Sequence, residues 1–535
     1  MPTLQFKGKT FVQNYHLAVN HHQLIPKREL SLTDKVSLHD NLIIQGDNLI
    51  ALKALLSTYA GRVKCIYIDP PYNTGNEKWV YNDNVNSPMI KEWLGQVVDK
   101  EDMTRHDKWL CMMMPRLKLL WELLSEDGAI FISCDDNEQH SLRCILDEVF
   151  GEDNFVANIL WQKKYAASND TTGIAAMHDF VVVYQKSDAF KRNLFPRTDK
   201  QDKLYKYDDG DGKGLWRSDN LLVKTFSENS VFSIVNPKTN EEYNPPKGSS
   251  WRGSKETIER WLNEKRIFFG KDGMGAPQLK RYLNEVQQGV VPTTWWTYEE
   301  TGHNDAANKE LAEILGNKKL FDTPKPSTLI KLILQLATNK NDIILDSFAG
   351  SGTTAHAVLE LNKEDGGNRK FILVEMENYA NTITAERVRR VINGVPSAKS
   401  EALKQGTGGT FSYFELGPTI EMESLLRGNN LPSYTEFARY LFYISTGEEF
   451  IESPVNEVTG FIGESKSYEV YLIYKPDIEW LKRNALTLQG CQSLPKFKGK
   501  QRLVFAPCKY VDDETCRDYR IDFCQLPYEI YRMQQ

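Results

Sequence analysis

Two prolines set the terms on which this chain can fold. Lys64–Ile68 (KCIYI) is a short apolar, β-rich run that stops at Asp69-Pro70-Pro71-Tyr72. Proline cannot continue a central strand, so the run is a strand ending in a fixed turn. Around it, Trp109–Leu124 carries apolar residues at helical spacing, and Asp127-Gly128 then breaks the chain. Ala129–Ser133 (AIFIS) is the next strand, and Asn137–Phe150 returns to helix. This alternation predicts a parallel sheet covered by helices.

The rhythm is interrupted and then resumes. Between about 155 and 320 only Val181–Tyr184 reads as a strand, and the rest is rich in Gly, Asn, Asp, Pro and aromatic residues. From Ser327 the pattern returns: helix to Ala337, strand Ile343–Leu345, a glycine turn, helix to Leu361, strand Phe371–Val374 and a further helix. The organisation expected is an arm over 1–40, one part of an α/β domain over 41–154, an insert over 155–320, the second part over 321–405, and a mixed α/β tail over 406–535 beginning at Gly406–Thr410 (GTGGT). A chain of 535 residues has room for about three domains.

Composition narrows the class. With 41% hydrophobic and 26% charged residues the chain is an ordinary soluble protein. It has no apolar run of membrane-spanning length, and Met1–Lys9 lacks the apolar core of a signal peptide. The eight cysteines form no Cys-x-x-Cys pair, which fits reduced thiols in a cytoplasmic protein. His106, His178 and His356 show no metal spacing, and no metal site is expected. The net charge of −6 argues weakly against nucleic acid, but residues 191–290 hold 19 Lys and Arg against 14 Asp and Glu. Phosphate contacts need only such a local basic surface.

Ile343–Thr354 (IILDSFAGSGTT) runs from a strand through Asp346 and a Gly-x-Gly turn into a helix. The glycines let backbone approach a ligand, and a helix start offers free N–H groups. Many α/β turns carry such glycines for packing alone. Here the next strand ends in Glu375, 23 positions beyond Gly352, where an acid can hold a ribose diol. No Lys follows Gly352, which disfavours a phosphate-binding loop. A ligand with a ribose and no phosphates is indicated, and S-adenosyl-L-methionine fits.

Asp69-Pro70-Pro71-Tyr72 supplies the chemistry. Adenine's exocyclic amine is a poor nucleophile because its lone pair is delocalised into the ring. A site that methylates it needs acceptors for the amine hydrogens, and the Asp69 carboxylate with the Pro70 carbonyl, aimed by two prolines, can provide both. Tyr72 offers a face on which an extruded base can stack. The bland alternative is a proline-rich turn that merely ends a strand.

Asp69–Gly75 (DPPYNTG) and Asp346–Gly352 (DSFAGSG) resemble the catalytic and cofactor motifs of amino-methyltransferases. Their order, catalytic before cofactor with a long insert between, resembles the β group of DNA adenine methyltransferases. Gly46–Leu49, Pro277–Leu283, Thr301–Asn304 and Phe321–Pro326 resemble the Mod subunits of type III restriction–modification systems over roughly residues 40–415. The resemblance implies a Rossmann-like methyltransferase sheet with circularly permuted motif order, an inserted target recognition domain and a small α/β C-terminal domain. It implies that Asp69, Pro70, Pro71 and Tyr72 hold the target adenine. It also implies a cofactor site of Asp346, Phe348, Ala349, Gly350 and Gly352, with Glu375 on the ribose, Asp47 near the adenine of the cofactor, and Lys325 and Thr353 near its methionine end. Double-stranded DNA, a homodimer and a helicase–nuclease restriction subunit are the implied partners.

The insert mixes basic and aromatic residues, among them Trp161, Lys163, Lys164, Trp216, Arg217, Trp251, Arg252, Lys255, Trp261, Arg266, Lys280, Arg281, Tyr282, Trp295 and Trp296. Such a mixture suits a surface that grips phosphates, though the tryptophans equally suit a core. Asn73–Arg105 is polar and fits either a loop that orders over DNA or a static surface loop. Three functions stay open: adenine methylation of duplex DNA, methylation of RNA or of cytosine's amine with the same motif, and a DNA-specificity subunit that mainly recruits a nuclease or helicase. An orphan regulatory methyltransferase is a variant of the first.

Overall fold

In the computed structural model the described residues are 4–74, 104–167, 173–197, 202–286, 289–317, 320–420, 431–448, 450–497 and 499–526. The Asn73–Arg105 loop expected from sequence falls almost wholly outside them.

The chain divides into two units, one of residues 1–193 with 293–535 and one of Leu194–Pro292. The larger is built on a ten-stranded sheet whose strands are His22–Pro26 (β1), Leu42–Gln45 (β2), Val63–Ile68 (β3), Leu124–Cys134 (β4), Phe155–Gln162 (β5), His178–Gln185 (β6), Trp295–Trp296 (β7), Ile343–Asp346 (β8), Lys370–Glu375 (β9) and Ser412–Thr419 (β10). Their order is β1-β10-β2-β9-β8-β3-β4-β6-β5-β7. From β10 to β4 all neighbours are parallel, while β6 is antiparallel to both β4 and β5. The parallel centre follows from the sequence: every residue of β3 is buried, as a strand covered on both faces requires.

Helices Asn48–Tyr59 (α1), Arg105–Leu123 (α2), Gln139–Phe150 (α3), Asn304–Leu315 (α4), Ser327–Ala337 (α5), Thr353–Asp365 (α6), Glu386–Asn393 (α7) and Tyr434–Thr446 (α8) accompany the sheet and the tail. Leu52, Leu55 and Leu56 of α1 and Leu117 and Leu120 of α2 join Ile66, Ile68 and Leu345 in the main core. The chain leaves β8 for β9 on one side and passes from β3 to β4 on the other, so the direction of winding reverses between β8 and β3. Beyond the carboxyl ends of the strands at such a reversal lies the usual crevice for a ligand.

Three segments differ from the boundaries expected above. The arm over 1–40 contributes a strand, because β1 pairs antiparallel with β10. Within 155–320, β5 and β6 are hydrogen-bonded into the main sheet, so the separate compact unit is the narrower Leu194–Pro292. In the tail β10 belongs to the main sheet. A further parallel-centred sheet of Phe461–Glu464, Tyr468–Leu472, Gln501–Ala506 and Ile521–Gln525 has its own core with α8, including Phe437, Leu441, Leu472 and Phe505.

In the smaller unit, strands Trp216–Asn220, Ile267–Phe268 and Gln278–Tyr282 form a three-stranded sheet. Leu221, Ile234, Trp251, Ile258 and Leu279 pack as its core. Trp216 and Trp251 are buried, while Arg252 and Arg281 are exposed and share Asp219 at 3.0 and 3.2 Å. The two ends of the unit are tied together: Phe195 and Val290 exchange backbone hydrogen bonds of 3.0 and 2.8 Å.

Among the described residues no helix is long and apolar enough to cross a membrane, no cluster of acids, histidines and cysteines has metal-binding geometry, and all eight cysteines are free.

Candidate active site

The turn after β3 is held from three sides. The Tyr72 hydroxyl donates to Asp69 Oδ1 at 2.8 Å, and the Lys325 ammonium pairs with Asp69 Oδ2. The indole N–H of Trp109, in the first turns of α2, donates to the Pro71 carbonyl at 2.7 Å. Asn73 takes the left-handed conformation at φ 57° and donates its amide to Glu138. Burial, reinforced by the Asp69 charge, pushes the Tyr72 phenol well up, so Tyr72 is a donor to Asp69 and not a second anion. The Lys325 ammonium also lies 5.2 Å from the Tyr72 ring centroid and 6.0 Å from that of Trp161, a cation over two aromatic faces.

The turn after β8 is held from within. Asp346 Oδ1 accepts from the Phe348 N–H at 3.0 Å and Oδ2 from the Thr354 hydroxyl at 2.5 Å. Burial raises its carboxyl to about 7 despite these bonds. Gly350 and Gly352 are left-handed, at φ 51° and 79°, and a Cβ on Gly352 would come within 3.0 Å of the Thr384 carbonyl. Gly352 opens α6. The Thr353 hydroxyl is bonded to the buried Arg387 guanidinium at 2.7 Å, and Arg387 is balanced by Glu310 at 3.0 Å.

Both turns open on one cavity of about 230 Å³. Of the residues expected from sequence, it is lined by Asp69, Pro70, Pro71, Tyr72, Lys325, Asp346, Phe348, Ala349, Gly350 and Thr353. Asp47, Gly352 and Glu375 are not among its lining residues. Asp47 caps α1 by accepting from the Leu49 N–H at 2.9 Å. Glu375 accepts from the Gly350 N–H at 2.7 Å and the Glu377 N–H at 3.0 Å, so it braces the glycine turn.

The cavity has further walls that sequence reasoning did not assign to it. Lys163, the residue after β5, and Asp179 on β6 line it and pair at 2.5 Å. Burial raises the Asp179 carboxyl, and Lys163 opposes the rise. The available signal was an acid at the very start of the apolar run Phe180–Tyr184. Tyr67, bonded to Ser133 at 2.9 Å, is another wall.

The cavity suits a ligand with a flat portion and polar ends. It presents the Phe348 ring, two carboxylate–ammonium pairs, Asp69 with Lys325 and Asp179 with Lys163, and a turn that side chains at Gly350 or Gly352 would strain.

Residues 63–386 match the family model described as DNA methylase. The chain is 32% identical over 417 residues to the StyLTI Mod subunit of a type III restriction-modification enzyme from Salmonella typhimurium, covering 72% of this chain and 62% of that protein. It is 32% identical over 439 residues to the EcoPI Mod subunit of Escherichia phage P1, covering 72% and 67%. It is 34% identical over 370 residues to the type II methyltransferase M.KpnI of Klebsiella pneumoniae, covering 65% of this chain and 82% of that protein. The match thus spans about two thirds of the length of these Mod subunits.

Proposed function

The chain belongs to the DNA methylase family, and from that premise we propose that it methylates the N6 amine of adenine in duplex DNA with S-adenosyl-L-methionine, as the modification subunit of a restriction–modification system. One observation carries this: the Asp69-Pro70-Pro71-Tyr72 turn and the Phe348–Thr353 turn line the same cavity.

Phe348, Ala349, Gly350, Lys325 and Thr353 are the residues that would hold the cofactor, with Asp47, Gly352 and Glu375 supporting them. The bound cofactor supplies a methyl group on a positively charged sulfur. The chain supplies acceptors. Asp69 and the Pro70 carbonyl take the two amine hydrogens and draw the nitrogen out of conjugation, while the Tyr72 ring supports the extruded base. Tyr72 and Lys325 keep the Asp69 carboxylate aimed and charged, so positive charge developing on the amine meets an anion placed in advance. Pro71 is committed to Trp109, which leaves Pro70 as the acceptor of the turn.

In the smaller unit, Arg252 and Arg281 on their shared Asp219 suit contact with DNA, since arginine held by a carboxylate is preset for guanine. The reading implies a cytoplasmic protein, a homodimer and a helicase–nuclease partner. A second reading, a methyltransferase that works without that partner, is favoured by the 82% coverage of the type II enzyme. Co-purification with a restriction subunit decides between them.

Modified-base sequencing of DNA from cells expressing the chain tests the function. N6-methyladenine within one recognition sequence, absent from cells expressing Asp69→Ala, is expected. N4-methylcytosine instead, or no new mark, overturns adenine methylation.

A further inference from the structure

Glu138 is wholly buried at the head of α3, just beyond the carboxyl end of β4. Its Oε1 accepts from two donors that flank the catalytic turn. One is the side-chain amide of Asn73, the residue after Tyr72. The other is His106 Nδ1 at 2.7 Å, in the first turn of α2. Its Oε2 has no hydrogen-bond partner among the described residues. Burying a carboxylate is costly unless it is hydrogen-bonded, so the two bonds to Oε1 are what hold Glu138 there.

The placement indicates the purpose. Asn73 is itself buried and sits in the left-handed region, which Asn tolerates better than most residues but does not prefer. A local preference therefore does not account for the turn's exit, and the amide bond to Glu138 does. His106 and Trp109 are three residues apart, on one face of α2. Trp109 holds the Pro71 carbonyl directly, and His106 is bonded to the same Glu138 oxygen that holds Asn73. The turn is thus clamped at Pro71 by α2 and at Asn73 by the head of α3.

We propose that Glu138 is a positioning residue for methyl transfer: through Asn73 it fixes the Asp69–Tyr72 turn so that the Asp69 carboxylate and Pro70 carbonyl meet the amine together. Glu138 touches neither base nor cofactor. The Asn73-Thr74-Gly75 extension noted in the sequence gains a mechanical role for its first residue. The inference rests on the methyl-transfer reading above.

The test uses the full chain, a duplex carrying the sequence found methylated in cells, and S-adenosylhomocysteine as the cofactor-site probe. Displacement of reacting groups by about 1 Å lowers rates about 100-fold, so Glu138→Ala should lower kcat by that order while the Kd for S-adenosylhomocysteine stays within about twofold. Glu138→Gln keeps an oxygen that accepts from both Asn73 and His106, and should recover kcat to within about threefold of wild type. Asn73→Ala should match Glu138→Ala, and the double variant should be no slower than Glu138→Ala, because the bond that fixes the turn is the one lost in both. Glu138→Ala with near wild-type kcat overturns the proposal. So does a Glu138→Gln variant as slow as Glu138→Ala, or losses that multiply in the double variant. A wild-type chain that methylates no DNA overturns the methyl-transfer reading instead.

Discussion

Asp69 and Asp346 are the same residue at the carboxyl ends of neighbouring parallel strands, and the fold treats them in opposite ways. The Asp69 side chain is 24% exposed and is held by two side-chain donors, Tyr72 of its own turn and the distant Lys325. Asp346 is 3% exposed, and its oxygens are spent on its own turn and on the helix that follows. A carboxylate at a strand end is thus not reactive by position. It can take a substrate proton where its partners come from side chains that can yield or share. It becomes part of the scaffold where burial is nearly complete and its own turn and the following helix consume both oxygens.

The most severe way to break this contrast is Asp69→Asn. Loss of a charge preset for the transition state should lower kcat by about 1000-fold or more, with the Kd for S-adenosylhomocysteine within about twofold of wild type. Substantial residual turnover would place Asp69 with the scaffold. Asp346→Asn should act on stability in a pH-dependent way. Its folded pKa of about 7 lies above the ordinary 3.8, so the stability tied to its proton is fully present below about 4 and is lost as pH rises through about 7. A shift of this size corresponds to at most about 4 kcal/mol. The Asn variant should lose that component, so its melting temperature at pH 8 should equal or exceed that of wild type. A variant that instead melts far lower at pH 8 would show that Asp346 is charged and needed as an anion.

Smaller effects sharpen the contrast. Gly352→Ala puts a Cβ into a left-handed turn 3.0 Å from the Thr384 carbonyl. It should cost about 1–2 kcal/mol, seen as about tenfold weaker S-adenosylhomocysteine binding by calorimetry. Tyr72→Phe keeps the ring and removes one donor from Asp69. A loss of about 1 kcal/mol, or about fivefold in kcat, is expected, and an unchanged rate would assign the aiming of Asp69 to Lys325 alone.

The sequence makes the local parts of this architecture legible. Lys64–Ile68 ends where its prolines require, and Ile343–Asp346 enters a turn that its glycines announce. Both signals come from neighbours in the chain, where proline and glycine act. Features that depend on distant pairing were not legible. The β1–β10 pairing joins residues almost 400 positions apart, and Leu24 carries no mark of its partner Leu416. Glu138 lies in a polar stretch before a helix, where an acid looks like a surface residue, and only the fold brings it to Asn73. Lys163 and Asp179 fall within the stretch expected as an insert because the alternation stops near them, yet β6, which carries Asp179, and β5, which ends just before Lys163, extend the main sheet. Glu375 was expected on a ribose, and the structure adds one bond to the Gly350 N–H of the glycine turn and one to the Glu377 N–H.

The bridge between Phe195 and Val290 has a consequence for ancestry. A unit whose entry and exit are one residue pair apart can be cut out and replaced without pulling on either flank, since any substitute need only bring its own ends together. Residues 194–292 therefore have the geometry that exchange as a cassette requires. On the function proposed above, a single recombination event across that span would hand the same methylating machinery a new word to mark.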